Sequence, residues 1–335
     1  MSKVLITGAG GYIGSIAAYQ LLQKGYEIVG IDNFSNGFKQ PLELLKEKFG
    51  EEKIRYYNFD IKDDLTPLFE KEKDINAVIH YAAFLSVDES MKKPEDYFTN
   101  NVAGSQNLFT YLLKNNIKKI IFSSTCAVYG NAEYVPIDEK HKTEPTNPYG
   151  ASKVMVENIL NWYDKLKGLK FVNLRYFNVC GASDDGLIGD SKKPSVHLMQ
   201  NAIRGALDLE PFYLTFSEVD TPDKSPIRDY CNVVDLNDAH ILALDYLIKG
   251  GKSEIINLGT GTGNSVLEII TKIEEETGKD IKLEKSSSRE GEYAKAVASI
   301  QKAKNVLGWE PKRSIADSVK SLVEWYKAHP QGWKE

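Results

Sequence analysis

Along the first half of the chain, apolar residues come in short runs separated by amphipathic stretches. Lys3-Val4-Leu5-Ile6-Thr7 reads as a strand buried on both faces, and Tyr12 to Lys24 spaces its apolar residues as a helix packed on a sheet does. Glu27-Ile28-Val29-Gly30-Ile31 repeats the strand pattern, and Ser35 to Gly50 interrupts it as an insertion, part loop and part helix. Then come a strand from Ile54 to Phe59, a helix from Asp63 to Glu72 and a buried strand, Ala77-Val78-Ile79-His80, ending in the small pair Ala82-Ala83. A long amphipathic helix from Tyr97 to Asn115 leads to the strand Ile120-Ile121-Phe122, which runs into Ser123-Ser124-Thr125. This βαβ rhythm predicts an α/β fold: a doubly wound parallel sheet of Rossmann type, with ligands at the carboxyl ends of its strands.

Past Tyr149 the rhythm thins. Pro148 can open a helix that continues from Tyr149 to Tyr163, followed by a strand from Phe171 to Arg175. Cys180 to Ser195 has no period and reads as a loop that shapes a site. A helix around Leu198 to Leu207 and a strand at Phe212 to Phe216 are expected next, then a helix from Leu236 to Leu247 and a strand from Glu254 to Leu258. Helices near Val266 to Thr277 and Ile315 to Ala328 close the chain. Residues 1–178 are thus expected to be mainly the dinucleotide-binding domain, with its sheet completed by about 228–260. Residues 179–227 and 261–335 form mainly a smaller C-terminal substrate-binding domain.

Composition narrows the class. Against 47 Asp and Glu stand 42 Lys and Arg, a formal net charge of -5, and no basic block offers a nucleic-acid surface. No apolar stretch precedes the first strand and none is long enough to span a bilayer, so neither a signal peptide nor a membrane segment is expected. Cys126, Cys180 and Cys231 are isolated, which fits a reducing cytoplasm and neither a disulfide framework nor zinc. The histidines form no metal spacing, and no metal is expected.

Candidate chemistry starts at the first turn. Gly8, Gly11 and Gly14 follow the first strand at G-x-x-G-x-x-G spacing. Such glycines allow a tight turn, let a pyrophosphate reach the helix N-terminus and let helix and strand pack closely. Asp32, after the second strand, is placed to accept both hydroxyls of an adenosine ribose, which favours NAD over NADP. Asp60 either accepts the adenine amino group or caps a helix, and Asn33 and Asn36 lie within reach of the cofactor. Tyr149 and Lys153, four apart, share a helix face. The ammonium favours the phenolate and draws a tyrosine pKa of about 10 toward neutrality, making it a general base. With the hydroxyls of Ser123, Ser124 and Thr125, the pair implies alcohol–ketone interconversion by hydride transfer.

The motifs GAGGYIGS (8–15), VIHYAA (78–83), NNVAGSQNL (100–108), SSTCAVYG (123–130), NPYGASKVMVE (147–157), LRYFNV (174–179), RDYCNVVDL (228–236), NLGTGTGNSV (257–266) and REGE (289–292) span nearly the whole chain. In them the sequence resembles the extended short-chain dehydrogenase/reductases, and within these the UDP-glucose (UDP-galactose) 4-epimerases. The resemblance implies catalysis by Thr125, Tyr149 and Lys153 with a tightly held NAD that is not consumed. It places Tyr12, Ile13, Asp60, Ile61, Tyr81, Ala82, Ala83, Asn100, Ser123 and Tyr176 along the cofactor. Asn178, His197, Leu198, Phe216, Arg228, Tyr230, Arg289 and Glu292 fall around a uridine diphosphate, and a homodimer is implied.

Some positions depart from the pattern. Leu85 stands where the family usually has Lys, and Glu292 where it has Asp. In the family the sequence resembles, Ala296 occupies the position whose size is associated with room for an N-acetyl group at C2 of the sugar; so small a residue leaves room for UDP-N-acetylhexosamines alongside the plain hexoses, unless a neighbour such as Tyr293 refills the space. The loop Ser217 to Pro226 is unusual and bears on nucleotide preference. A 4,6-dehydratase is disfavoured because Thr125-Cys126 supplies no carboxylic acid. A 4-epimerase of a UDP-pentose or UDP-uronate, or a non-catalytic dinucleotide-binding regulator, remain the alternatives.

Overall fold

The computed structural model describes residues 2–214, 218–283 and 294–333. Seven strands form its main sheet: β1 (Lys3–Thr7), β2 (Glu27–Asp32), β3 (Ile54–Asn58), β4 (Ile75–His80), β5 (Lys119–Thr125), β6 (Lys170–Tyr176) and β7 (Glu254–Leu258). Their order in space is β7-β6-β5-β4-β1-β2-β3. The pairs β1–β2, β2–β3, β1–β4 and β4–β5 are parallel. The chain winds outward from β1 to β3 and then returns to the other side at β4. The carboxyl ends of β1 and β4 therefore flank a topological switch point, where open α/β sheets bind ligands.

Two compact units divide the chain. The first comprises Met1–Gly130, Lys142–Arg175 and Asn237–Ile256; the second comprises Asn131–His141, Tyr176–Leu236 and Asn257–Glu335. In the first unit, Leu5, Val78, Ile120 and Phe122 of the strands pack on Leu108, Phe109, Leu112, Val156 and Leu160 of the helices that cover them. These helices are α2 (Gly104–Lys114) and α3 (Pro148–Lys167), while α1 (Tyr12–Gln23) follows β1. Asn147 caps α3 by accepting from Gly150 N at 2.8 Å, and Gly168, at φ 68°, ends it.

The second unit is built on α4 (Leu198–Ala206), α5 (Val266–Thr277) and α6 (Ile315–Ala328). Met199, Ile203, Ile269, Ile273, Leu322 and Trp325 form its core. Two small sheets accompany them. Asn178–Cys180 runs parallel to Tyr230–Asn232, and Ile227–Arg228 lies between Asn264–Ser265 and Lys295–Ala296.

Two elements differ from the sequence pattern. The helix expected from Tyr97 to Asn115 is interrupted by a π-helical turn, Phe98–Ala103, between Pro94–Tyr97 and α2. It coincides with competing bonds at Asn101: its carbonyl accepts from the Ser105 hydroxyl, while its amide is drawn to Phe84 and, far along the chain, Ser152. In the expected strand at Phe212 to Phe216, only an isolated bridge from Leu214 to Leu283 forms among the described residues. Phe212 packs against Gly205 of α4 instead of joining a ladder.

Candidate active site

The turn after β1 is shaped by what its glycines leave out. Gly8 has φ +69°, and a Cβ there would meet Ala82 N at 2.8 Å. A Cβ on Gly14 would lie 2.2 Å from the Gly8 carbonyl, so α1 reaches the turn only because that atom is missing. Gly11 is the N-cap of α1, and no side chain caps it. Tyr12 and Ile13 form the first helical turn. The N-terminus of α1 is therefore presented at the switch point as an anion site made of backbone.

Asp32 ends β2 beside this turn. Its Oδ2 accepts from Gly10 N at 2.9 Å and its Oδ1 from Phe34 N at 2.8 Å. Burial raises its carboxyl pKa, and the two N–H donors work against that rise. A carboxylate offers about four acceptor positions, so two stay available for ribose hydroxyls. Asp60 is the centre of an Asx turn, accepting from Lys62 N at 2.9 Å and from the Asn33 amide at 2.9 Å. It caps no helix, since the next one begins at Thr66. Ile61 is buried and its carbonyl accepts from Asn107 at 2.8 Å. Asn36 is exposed in the loop that follows Asp32.

At the end of β4, just before Ala83, a chain of hydrogen bonds fixes Tyr81 and Ala82. Ala82 N donates to Thr7 Oγ1 at 3.3 Å, Thr7 Oγ1 meets His80 Nδ1 at 2.6 Å, and His80 Nε2 meets Ser105 Oγ at 2.8 Å. Ser105 donates onward to the Asn101 carbonyl, so it must accept from His80, which assigns the proton to Nε2. Burial, helped by the charge of Lys153, pushes the His80 pKa down to about 3, and the ring is neutral. The Tyr81 hydroxyl donates to Asn237 at 3.0 Å. Asn101 accepts from Phe84 N at 2.8 Å and donates to Ser152 of α3 at 3.0 Å. Asn100 is buried beside it and donates to its side chain at 3.1 Å.

Thr125, Tyr149 and Lys153 come together through one close approach. A Cβ on Gly150 would be 2.5 Å from the Ala127 carbonyl, so only glycine lets the start of α3 touch the turn after β5. Thr125 Oγ1 accepts from Ala127 N at 3.2 Å. Lys153 is 3% exposed; its Nζ donates to the Ser123 carbonyl at 2.8 Å and lies 4.9 Å from the Phe122 ring and 5.9 Å from the Tyr149 ring. Burial lowers its pKa to about 7, against the pull of Glu157. The Tyr149 ring also meets Tyr97 edge-on at 6.4 Å.

In the second unit, Arg228 is the register partner of both Ala296 and Asn264, so the small sheet sets Ala296 beside the guanidinium-bearing strand. Tyr176 ends β6, and Asn178 N donates to the Asp229 carbonyl at 3.0 Å. His197 stands at the N-cap position of α4 without a side-chain capping bond, and Leu198 opens the helix. Tyr230 lies in the unit's core, 3% exposed, and its hydroxyl has no partner among the described residues. Phe216, Arg289 and Glu292 lie outside the described residues. Asp229, between Arg228 and Tyr230, drew no attention in the sequence. Its buried carboxylate accepts from Thr260 N, Thr260 Oγ1, Gly261 N and Ala298 N at 2.6–3.1 Å. It anchors the loop after β7. The arrangement of the two motifs RDY and NLGTG was the available signal, but nothing local says that one holds the other.

Among the described residues no group of side chains could hold a metal ion, and no helix is long and apolar enough to cross a membrane. Residues 4–259 match the model of the NAD dependent epimerase/dehydratase family. A UDP-glucose 4-epimerase of Lactobacillus helveticus is 39% identical over 336 residues, covering 99% of both chains. A UDP-glucose 4-epimerase from Bifidobacterium longum, solved in complex with NAD+ and UDP, superposes with TM-score 0.93 at 34% identity over 99% of this chain and 100% of that one. The UDP-Glc/GlcNAc 4-epimerase from Campylobacter jejuni has TM-score 0.85 at 35% identity, covering 98% and 100%. With its glycine turn, Asp32 and buried Tyr149–Lys153 helix in place, the chain belongs to the UDP-glucose 4-epimerases of the NAD dependent epimerase/dehydratase family.

Proposed function

We propose that this protein interconverts UDP-glucose and UDP-galactose by inverting C4 through a 4-keto sugar, with NAD retained throughout. The observation that carries this reading is Lys153, buried on the same helix face as Tyr149 and held to the Ser123 carbonyl. The residues fit the cofactor: a glycine turn that admits no Cβ, an α1 N-terminus without a side-chain cap, and Asp32 with acceptor positions to spare. NAD, when bound, would supply the hydride acceptor and donor for C4 of the sugar. Tyr149 removes the proton of the sugar 4-hydroxyl and later gives it back. Lys153 favours the phenolate by its charge and would also bind the nicotinamide ribose. Thr125 Oγ1, which accepts from Ala127 N, keeps its own proton to donate to the sugar oxygen. Arg228, with Arg289, would supply the forked cations that a diphosphate requires on a chain of net charge -5. Asn178, His197, Leu198, Phe216, Tyr230 and Glu292 would complete the uridine diphosphate site.

A second substrate class follows from Ala296. Its position beside Arg228 in the small sheet leaves a methyl group where a large ring would exclude an acetamido sugar, so UDP-N-acetylhexosamines are accepted as well. We also place the protein in the cytoplasm, where its three free thiols stay reduced, as a homodimer. The partner copy would cover the apolar groove between the π turn Phe98–Ala103 and α3, lined by Phe98, Val102, Met155, Ile159 and Trp162, in which Trp162 is 60% exposed. Trp162→Glu should then yield monomers in sedimentation.

The test of the reaction is turnover by purified protein without added NAD, given UDP-galactose and UDP-N-acetylgalactosamine in separate tubes. Conversion of both is expected. Conversion of UDP-galactose alone would overturn the reading of Ala296. Silence in both, persisting with NAD supplied, would overturn the reaction.

A further inference from the structure

Behind the Tyr149–Lys153 pair lies a buried ion pair that the reaction as described does not use. Glu157 follows Lys153 by one turn of α3 and is 2% exposed; Arg175, on β6, is 4% exposed. The guanidinium grips the carboxylate with two bonds, Nε to Oε1 at 3.0 Å and Nη2 to Oε2 at 2.5 Å, and its Nη1 donates to the Tyr129 hydroxyl at 3.1 Å. Ser124 Oγ donates to Glu157 Oε1 at 2.5 Å. Consecutive residues of β5 thus hold consecutive turns of α3: the Ser123 carbonyl takes Lys153, and the Ser124 hydroxyl takes Glu157.

An ammonium in a dry site needs a counter-charge, and the groups around Lys153 offer few. His80 of β4 is neutral, Phe122 presents a ring face, Ser123 presents a single carbonyl, and Tyr149 is the group the ammonium must activate. Arg175 carries the wrong sign. That leaves Glu157, one turn away and held rigid by three donor groups. We propose that Glu157, fixed by Arg175 and Ser124, is a positioning residue for the reaction: its carboxylate keeps the Lys153 ammonium charged and aimed beneath Tyr149. The direction of its effect on the Lys153 titration, upward against burial, agrees. This inference rests on the proposed reaction.

A pin between helix and sheet would cost stability when removed but would not move a titration, and that separates the two roles. Activity should fall as pH rises through the Lys153 titration, because the neutral amine no longer favours the phenolate. In Glu157→Gln, read as the NAD-retaining protein on UDP-galactose, this alkaline limb should move to lower pH by about one unit. The loss should fall on kcat and not KM, and Glu157→Asp should restore the limb. A second readout needs no substrate. The phenolate absorbance of Tyr149, taken as the difference from Tyr149→Phe, should titrate at higher pH in Glu157→Gln than in the parent. If Glu157→Gln does not fold, Ser124→Ala, which keeps both buried charges and only frees one carboxylate oxygen, is read instead, with shifts in the same directions and smaller in size. Unmoved limb and unmoved phenolate titration in a folded variant overturn the proposal. If the parent itself leaves UDP-galactose unconverted, the reaction is wrong, and the phenolate titration still decides the role of Glu157.

Discussion

The turn Gly8–Gly14 and the loop Gly259–Gly263 are written in similar letters, and each lies beside a buried aspartate. Asp32 accepts two backbone N–H groups and keeps acceptor positions open. Asp229 accepts from three N–H groups and one hydroxyl, which fills it. The glycines differ accordingly. A Cβ on Gly14 would strike backbone, whereas one on Gly259 would lie 2.4 Å from the Asp229 carboxylate itself. In the first turn glycine lets backbone close on backbone and leaves the N-terminus of α1 without a side-chain cap; in the second it clears space for the protein's own anion. Glycine-rich spelling therefore does not identify an anion site until the acceptors around it have been counted.

That contrast can be broken by substitution. The largest effect is expected at Asp229→Asn, where an amide replaces a saturated carboxylate and leaves at least one buried N–H facing another donor. It should cost about 3 kcal/mol in denaturant unfolding. Next, Asp32→Asn should leave the unfolding midpoint of cofactor-free protein nearly unchanged yet weaken NAD about tenfold to a hundredfold, about 1.4 to 2.8 kcal/mol, by titration calorimetry. If Asp32→Asn unfolds the protein, or if Asp229→Asn spares stability and releases NAD, the two roles have been assigned the wrong way round. A smaller effect is expected at Thr260→Val, which removes one donor at 2.7 Å from Asp229 and should cost about 1 kcal/mol without touching NAD retention.

Local signals in the sequence made most of the first unit legible. β1, β2 and β4, the glycine turn, Asp32 and the four-residue spacing of Tyr149 and Lys153 all announce themselves within a few residues, because strand runs and helix faces are short-range patterns. What stayed illegible depends on partners far along the chain. Nothing near Asn101 reveals that Phe84 and Ser152 claim its amide and help open a π turn near the start of a helix that otherwise reads as continuous. His80 looked like an ordinary core histidine, and only the fold connects it to Thr7 and Ser105. Asp229 and Glu157 read as unremarkable charges until donors 31 to 69 residues away, or an arginine 18 residues away, close on them.

The finest test of the open glycine turn is the pH dependence of stability at Asp32. Burial raises its carboxyl pKa in the folded protein, so the folded state binds a proton more readily than the unfolded state does. Stability from this group is therefore fullest below the ordinary carboxylate value of about 4 and declines as pH rises through the raised folded value. Asp32→Asn cannot titrate and lacks the decline. For cofactor-free protein, the unfolding free energy of the parent minus that of Asp32→Asn should fall as pH climbs through that window and then level off. The change should be small, since the N–H groups of Gly10 and Phe34 already offset part of the burial cost. A difference that instead rises with pH would mean that the fold favours the charged form of Asp32 and uses the carboxylate for its own cohesion, and the distinction between an open and a filled glycine loop would fail at its clearest site.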